Sequence, residues 1–201
     1  MEFFKKINRY RGADEEANEQ NMEEFGIPAK SLFTETEVLT LHHRIQITDE
    51  GGNVCYRAET QFPSLHDKTD IFDANGAHVS HFEKKIISLH QRHFVTMEDG
   101  SSFELSTELL HVVKDIINIE GLGWQISGNV IGLNFQIYDE AGGVIAVIAQ
   151  KMLSLHDRYC IDIYRPEYES IIVTILIALQ HIVQDRQSHA SSASGGSSSS
   201  K

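Results

Sequence analysis

The feature that most constrains this chain is a short phrase that returns four times in the same company. Ser/Thr-Leu-His-x-Lys/Arg stands at Thr40-Leu41-His42-His43-Arg44, Ser64-Leu65-His66-Asp67-Lys68, Ser88-Leu89-His90-Gln91-Arg92 and Ser154-Leu155-His156-Asp157-Arg158. Between copies lies Asp-x-x-Gly, each time after an alternating run such as Arg44-Ile45-Gln46-Ile47-Thr48 or Asn134-Phe135-Gln136-Ile137-Tyr138. An Asp can bond its own backbone two residues on, and a Gly accepts the positive φ of a tight reversal. Asp49, Gly52, Asp73, Gly76, Asp139 and Gly142 therefore read as hairpin turns. The first three corner phrases are 24 residues apart (64−40 and 88−64), and Ile71 to Met97 aligns without gaps on Ile137 to Ile163 at a shift of 66 (137−71). One unit is being repeated: short strand, turn, long strand, then a Ser-Leu-His corner that launches the next strand.

The long strands, Ala77 to Ile87 and Gly143 to Leu153, do not hold one alternation phase, since Val79 and Phe82 are three apart and Lys84-Lys85 or Gln150-Lys151 precede apolar pairs. A β-bulge in each would reconcile the two ends. Bulges at corresponding places let a meander curl and close on itself. Ser102 to Val130 is more degenerate, with a turn at Asp99-Gly100, strand-like Val112-Val113 and Ile116 to Ile119, and punctuation by Gly121, Gly123 and Gly128. Two pseudo-equivalent halves are expected to join there.

Near the C-terminus the period changes. Pro166 suits a first helical position, Glu167 and Glu169 complement the positive helix end, and Arg186 and His189 lie toward the other end. From Ile171 to Leu179 apolar residues occupy all sides, the mark of a helix surrounded by protein or lipid. The apolar stretch to Val183 falls short of the roughly 20 residues that span a bilayer, so no transmembrane span is expected. A closed, mainly β meander with this hydrophobic helix through its centre satisfies both patterns. The expected organisation is an amphipathic and acidic segment over 1–36, the barrel with its helix over 37–187, and a disordered Ser/Gly-rich tail over 188–201.

Composition sets the class. With 41% hydrophobic and 23% charged residues the chain has the balance of one globular domain. A formal charge of −12 repels polyanions and excludes nucleic acid as a natural partner. Cys55 and Cys160 lack a Cys-x-x-Cys neighbour and read as small buried hydrophobes. The start, Met1-Glu2-Phe3-Phe4-Lys5-Lys6-Ile7, has no secretory apolar run, which makes a cytoplasmic location the expectation.

The unit of Asp-x-x-Gly hairpin, long strand and Ser-Leu-x-x-Lys/Arg corner, followed by Gly-Trp-Gln-Ile-Ser-Gly at 123 to 128 and a final apolar helix, resembles the LURP-one-related family. That family belongs to the Tubby C-terminal-like superfamily, with the phospholipid scramblases. The resemblance runs from about Leu39 to Asp185. It implies a Tubby-like closed β-barrel of about twelve strands around a central helix, and a binding protein rather than an enzyme. It carries over no binding residue, and the His of the corner departs from the family pattern.

Eleven histidines invite a test for chemistry. His78 and His81, three apart in a strand, point to opposite faces and cannot share a metal unless a bulge intervenes. The repeated corners His42, His66, His90 and His156 would be spread around the barrel and serve corner hydrogen bonds. Ser64, His66 and Asp67, or Ser154, His156 and Asp157, are too close in sequence for nucleophile, base and orienting group to converge. Gly121-Leu122-Gly123 and Gly51-Gly52 lack the Lys-Ser/Thr or helix of a phosphate loop. No catalytic residue, metal or cofactor is expected.

One segment looks addressed to something. On a helical wheel Phe3, Phe4, Ile7 and Tyr10 share a side opposite Lys5, Lys6 and Arg9, with Arg11 near the apolar edge, and an acidic stretch from Asp14 to Glu24 follows. It suits either an anionic membrane surface, through Phe3, Phe4, Lys5, Lys6, Ile7, Arg9 and Arg11, or a helix docked on the barrel. The expected function is a lipid-headgroup (phosphoinositide) or protein-binding module, peripheral to membranes in the first case. Rival readings are a structural or partner-binding protein without lipid affinity, and a hydrolase or transferase built on the corner histidines.

Overall fold

The computed structural model describes residues 24–35, 44–61, 68–87, 90–106, 117–130, 132, 134–151 and 158–194. Among the described residues twelve antiparallel strands form a nearly closed barrel, and a helix runs through it. The strands are β1 (Lys30–Glu35), β2 (Arg44–Thr48), β3 (Val54–Gln61), β4 (Lys68–Asp73), β5 (His78–Ile87) and β6 (His90–Met97). They continue as β7 (Ser102–Ser106), β8 (Ile117–Ile119), β9 (Trp124–Asn129), β10 (Asn134–Tyr138), β11 (Val144–Lys151) and β12 (Arg158–Ile163). A 3-10 turn, Pro166–Tyr168, leads into α1 (Glu169–Ser194).

The hairpin turns show why the phrase repeats. In each, the Asp accepts from backbone further along: Asp49 Oδ1 from Asn53 N at 2.8 Å, Asp73 Oδ1 from Ala77 N at 2.8 Å, Asp139 Oδ1 from Gly143 N at 2.7 Å. Gly52, Gly76 and Gly142 sit at φ 79°, 81° and 80°, the left-handed region where a side chain is strained. Immediately beyond each turn the ladder skips one residue, Cys55 opposite β2, Val79 opposite β4 and Ile145 opposite β10. Bulges thus lie near the start of both long strands, and a third copy lies in β3. Met97 to Gly100 closes a fourth reversal with the same backbone bonds, with Met in place of Asp.

Pairing follows a meander, β2 through β7 on one side and β8 through β12 then β1 on the other. These are two six-stranded halves, and the shift of 66 superposes β4, β5 and β6 on β10, β11 and β12 with identical pairing. The halves touch weakly. β1 and β2 share the single pair Phe33 with Thr48, and β7 meets β8 at the bridge from Glu104 to Glu120.

Strand β1 corrects the expected boundary at residue 36, because it is part of the barrel and pairs along its whole length with β12. Its partner lies far off in sequence and no Asp-x-x-Gly turn announces it. Helix α1 likewise runs past the expected limit at Gln187 as far as Ser194. Ala190 and Ala193 favour helix, and no Gly or Pro interrupts before Gly195.

Ile172, Ile175, Leu176, Ile177 and Ile182 are fully buried, each contributing roughly 1.5–3 kcal/mol of transfer free energy. By composition Pro166–Val183 is apolar enough to cross a membrane, with a mean hydropathy of 1.2. Here the barrel wall surrounds it, and 61% of that stretch is buried inside the protein. The helix start is tied to both halves: Glu169 Oε1 accepts from Lys30 Nζ of β1 at 2.7 Å and from the Tyr56 hydroxyl of β3 at 3.0 Å. Burial first, then the Glu169 charge, holds the Tyr56 phenol well above its usual range.

Candidate functional site

At the seam where β7 meets β8 the outer surface folds inward into a cleft of about 490 Å³. Its walls come from both halves. β5 supplies His81 and Glu83, β6 supplies Phe94 and Thr96, β7 supplies Ser102 and Glu104, and Glu120 with Gly121 closes the far side. Alternation explains the lining: along β7, Phe103 and Leu105 face the core, so Ser102 and Glu104 face out. Gly121 permits the approach, because at φ 98° a Cβ there would stand 2.8 Å from the Ser102 carbonyl oxygen. Glu104 N donates to Glu120 O across the gap at 3.0 Å.

The cleft is amphipathic. Phe94 is its outward apolar side chain, Val95 and Phe103 being buried in the core beneath, and Glu83, Glu104 and Glu120 stand around it with no Lys or Arg among the described lining residues. Arg92 Nη1 lies 2.9 Å from Glu104, and Lys68 Nζ lies 3.9 Å from Glu83, so the ring is partly neutralised from outside.

Beside it lies a small imidazole and carboxylate cluster, formed through the exception that the alternation of His78 and His81 left open. The bulge at Val79 brings His78 and His81 to the same face, where Asp70 Oδ1 lies 3.3 Å from His78 Nε2 and 2.8 Å from His81 Nδ1. His78 Nδ1 lies 2.9 Å from Glu98 Oε2, and this contact, aided by Asp70 against a desolvation penalty, raises the His78 imidazole above its ordinary value. Among the described residues no group of three or more His, Cys, Asp or Glu is placed to hold a metal ion.

Inside the barrel a second polar set faces the helix. Ser80 and Thr174 hydroxyls lie 2.8 Å apart, Thr60 and Thr69 hydroxyls 2.9 Å apart, and Thr60 Oγ1 lies 3.4 Å from His181 Nε2. His93 is 2% exposed, and neither ring nitrogen has a hydrogen-bond partner among the described residues. Burial first, then the neighbouring His181 and Lys84, pulls its pKa down to about 3.

Sequence reasoning did not find the cleft. Of its own candidates, His42, His66 and His156 lie outside the described residues, and His90 opens β6 opposite Ile87. The membrane-contact set from Phe3 to Arg11 also lies outside them. Glu104 and Glu120 carry no motif. They meet only because the barrel closes.

A family model described as LURP-one-related matches residues 30–180. The chain is also similar to an X-ray structure of a protein from Arabidopsis thaliana, at 15% identity and a TM-score of 0.46, over 78% of this chain and 94% of that one. No curated protein matches.

Proposed function

This chain belongs to the LURP-one-related family, and from that premise we propose that it is a non-catalytic module that binds a protein partner at the seam cleft. One observation carries the reading. The interior is occupied by α1, whose residues from Ile172 to Ala178 are fully buried, while the outer face of β5 to β7 keeps an open cleft that presents the Phe94 ring with carboxylates around it. A segment bearing both aromatic and cationic side chains fits that chemistry, and the net charge of −12 favours its approach.

The test is a titration with two short peptides, one alternating Phe with Lys and one alternating Phe with Glu, followed through amide shifts in β6 and β7. The Lys peptide should move them, weaken as salt rises, and weaken again in Glu120→Lys. Neither peptide moving these amides would overturn the cleft as the binding place. Vesicles of anionic lipid form a third arm. Binding there, dependent on Lys5, Lys6, Arg9 and Arg11, would favour the lipid-surface reading over the protein one.

A further inference from the structure

The same place on the outer surface occurs twice, once in each half, and the two copies differ. At the shift of 66, His81, Phe94 and Thr96 correspond to Val147, Cys160 and Asp162. The first three are partly or fully open to water and line the seam cleft. Val147, Cys160 and Asp162 point outward by alternation with Ile148, Ile161 and Ile163, yet they are only 2%, 1% and 8% exposed. An outward face of a sheet is buried only when something lies on it, and a strand buried on both sides reads as a near-continuous apolar run, as β11 does.

The direction from which the cover arrives is on the page. Ala29 N donates to Ile163 O at 2.8 Å, Lys30 pairs with Ile163, and the Phe25 ring meets the Tyr164 ring at 6.2 Å. Residues before Glu24 therefore start from the end of the barrel nearest Val147 and Asp162. The connections 36–43 and 152–157 leave from the opposite end, where Glu35, Arg158 and Lys151 are paired. From Tyr10 to Glu24 the chain reaches about 21 Å even if helical, enough to lie back along a strand of roughly 20 Å. Its pattern matches the need: one side carries Phe3, Phe4, Ile7 and Tyr10, the other Lys5, Lys6 and Arg9.

We infer that the N-terminal segment, residues 1–23, lies across the outer face of β11, β12 and β1, with its apolar side on Val147 and Cys160. The barrel thus carries an internal occupant on one half at the place that the other half leaves open. While docked, the segment has no apolar side to offer a membrane. This inference stands apart from the seam cleft and does not need it.

Cys160 is the probe. In a Cys55→Ser background it is the single thiol, and its alkylation rate reads the cover directly. Full-length protein should react slowly, and a chain beginning at Gly26 should react at least roughly tenfold faster while still melting cooperatively. Equal rates in two folded proteins would overturn the inference. Should the shortened chain fail to fold, full-length Phe3→Asp/Ile7→Asp supplies the same comparison. Faster alkylation in that variant supports docking by the apolar side, and an unchanged rate overturns it.

Discussion

The two halves of the barrel hold the same helix with different interiors. Thr69, Ser80 and His93 in the first half stand where Phe135, Ala146 and Tyr159 stand in the second, at the same pairing register. The first half consequently meets α1 through hydroxyls and imidazoles, Ser80 against Thr174 and Thr60 against His181, whereas the second meets it mainly through apolar volume. Outside, the contrast reverses in sense: the first half is open and the second is covered. A repeated unit preserves turns, bulges and pairing because these depend on backbone, and it frees the side chains of each copy to serve different ends. Fold is duplicated here. Chemistry is not.

The largest effect should come from the element both halves share. Ile175 is fully buried, and Ile175→Asp would place an unpaired carboxylate there at a cost of several kcal/mol, on the order of a domain's whole stability. Thermal melts of this variant should show no cooperative transition. A melting midpoint equal to that of the parent would mean that the two halves do not depend on the helix between them.

His93 separates the halves by pH. Its folded pKa, near 3, lies below the ordinary imidazole value, so the unfolded chain binds more protons between about pH 3 and 6.5. Its contribution to stability is therefore intact above about pH 6.5 and falls as the pH is lowered. From pH 7 to pH 5 the loss should be about 2 kcal/mol. His93→Tyr, which copies Tyr159 of the second half, should flatten that part of the profile. Denaturant midpoints at the two pH values give the slope, and an identical slope in parent and variant would remove His93 as its source.

How much of this was legible in the sequence depends on how local the cause is. Asp73 and Gly76 act within five residues, so turn and bulge could be read from spacing. The all-round apolarity of Ile171 to Leu179 needed no tertiary knowledge either. Strand β1 was missed because its pairing partner β12 lies more than a hundred residues away. His78 and His81 looked opposed because the phase of alternation changes at a single residue, Val79. Glu104 and Glu120 are ordinary surface carboxylates in sequence and become a site only through closure, which no local pattern encodes. The different burial of Thr96 and Asp162, equal in register, also depends on what lies over the sheet.

A smaller effect tests where the halves should be alike. Gly76 and Gly142 have φ of 81° and 80°, and a Cβ at either meets nothing within 4 Å, so only backbone strain opposes a side chain. Gly76→Val and Gly142→Val should each cost about 1–2 kcal/mol. The two values should agree within a few tenths, since the sites share turn and bulge. Midpoints in denaturant that match the parent at both positions would remove the turn argument, and a large difference between them would show that the halves differ in backbone as well as in chemistry.

The smallest expected effect lies at an internal hydrogen bond, Ser80 to Thr174, that the second half replaces with the methyl group of Ala146. Thr174 Oγ1 lies 2.8 Å from the Ser170 carbonyl, to which it donates its proton, so the Ser80 hydroxyl is the donor in the 2.8 Å contact between them. Ser80→Ala removes that donor but leaves Thr174 bonded, and it installs the residue that the second half already carries as Ala146. The cost should be about 1 kcal/mol, the net value of one buried bond. Thr174→Val should cost more, because it strands the Ser80 hydroxyl in a site from which water is excluded. Adding Thr174→Val to Ser80→Ala should then cost less than Thr174→Val alone, and the difference across the double-mutant cycle measures the bond. Strict additivity would mean that the polar contact contributes nothing specific. The helix would then be held by packing alone on both sides, and the contrast between the two interiors would be one of composition without energetic consequence.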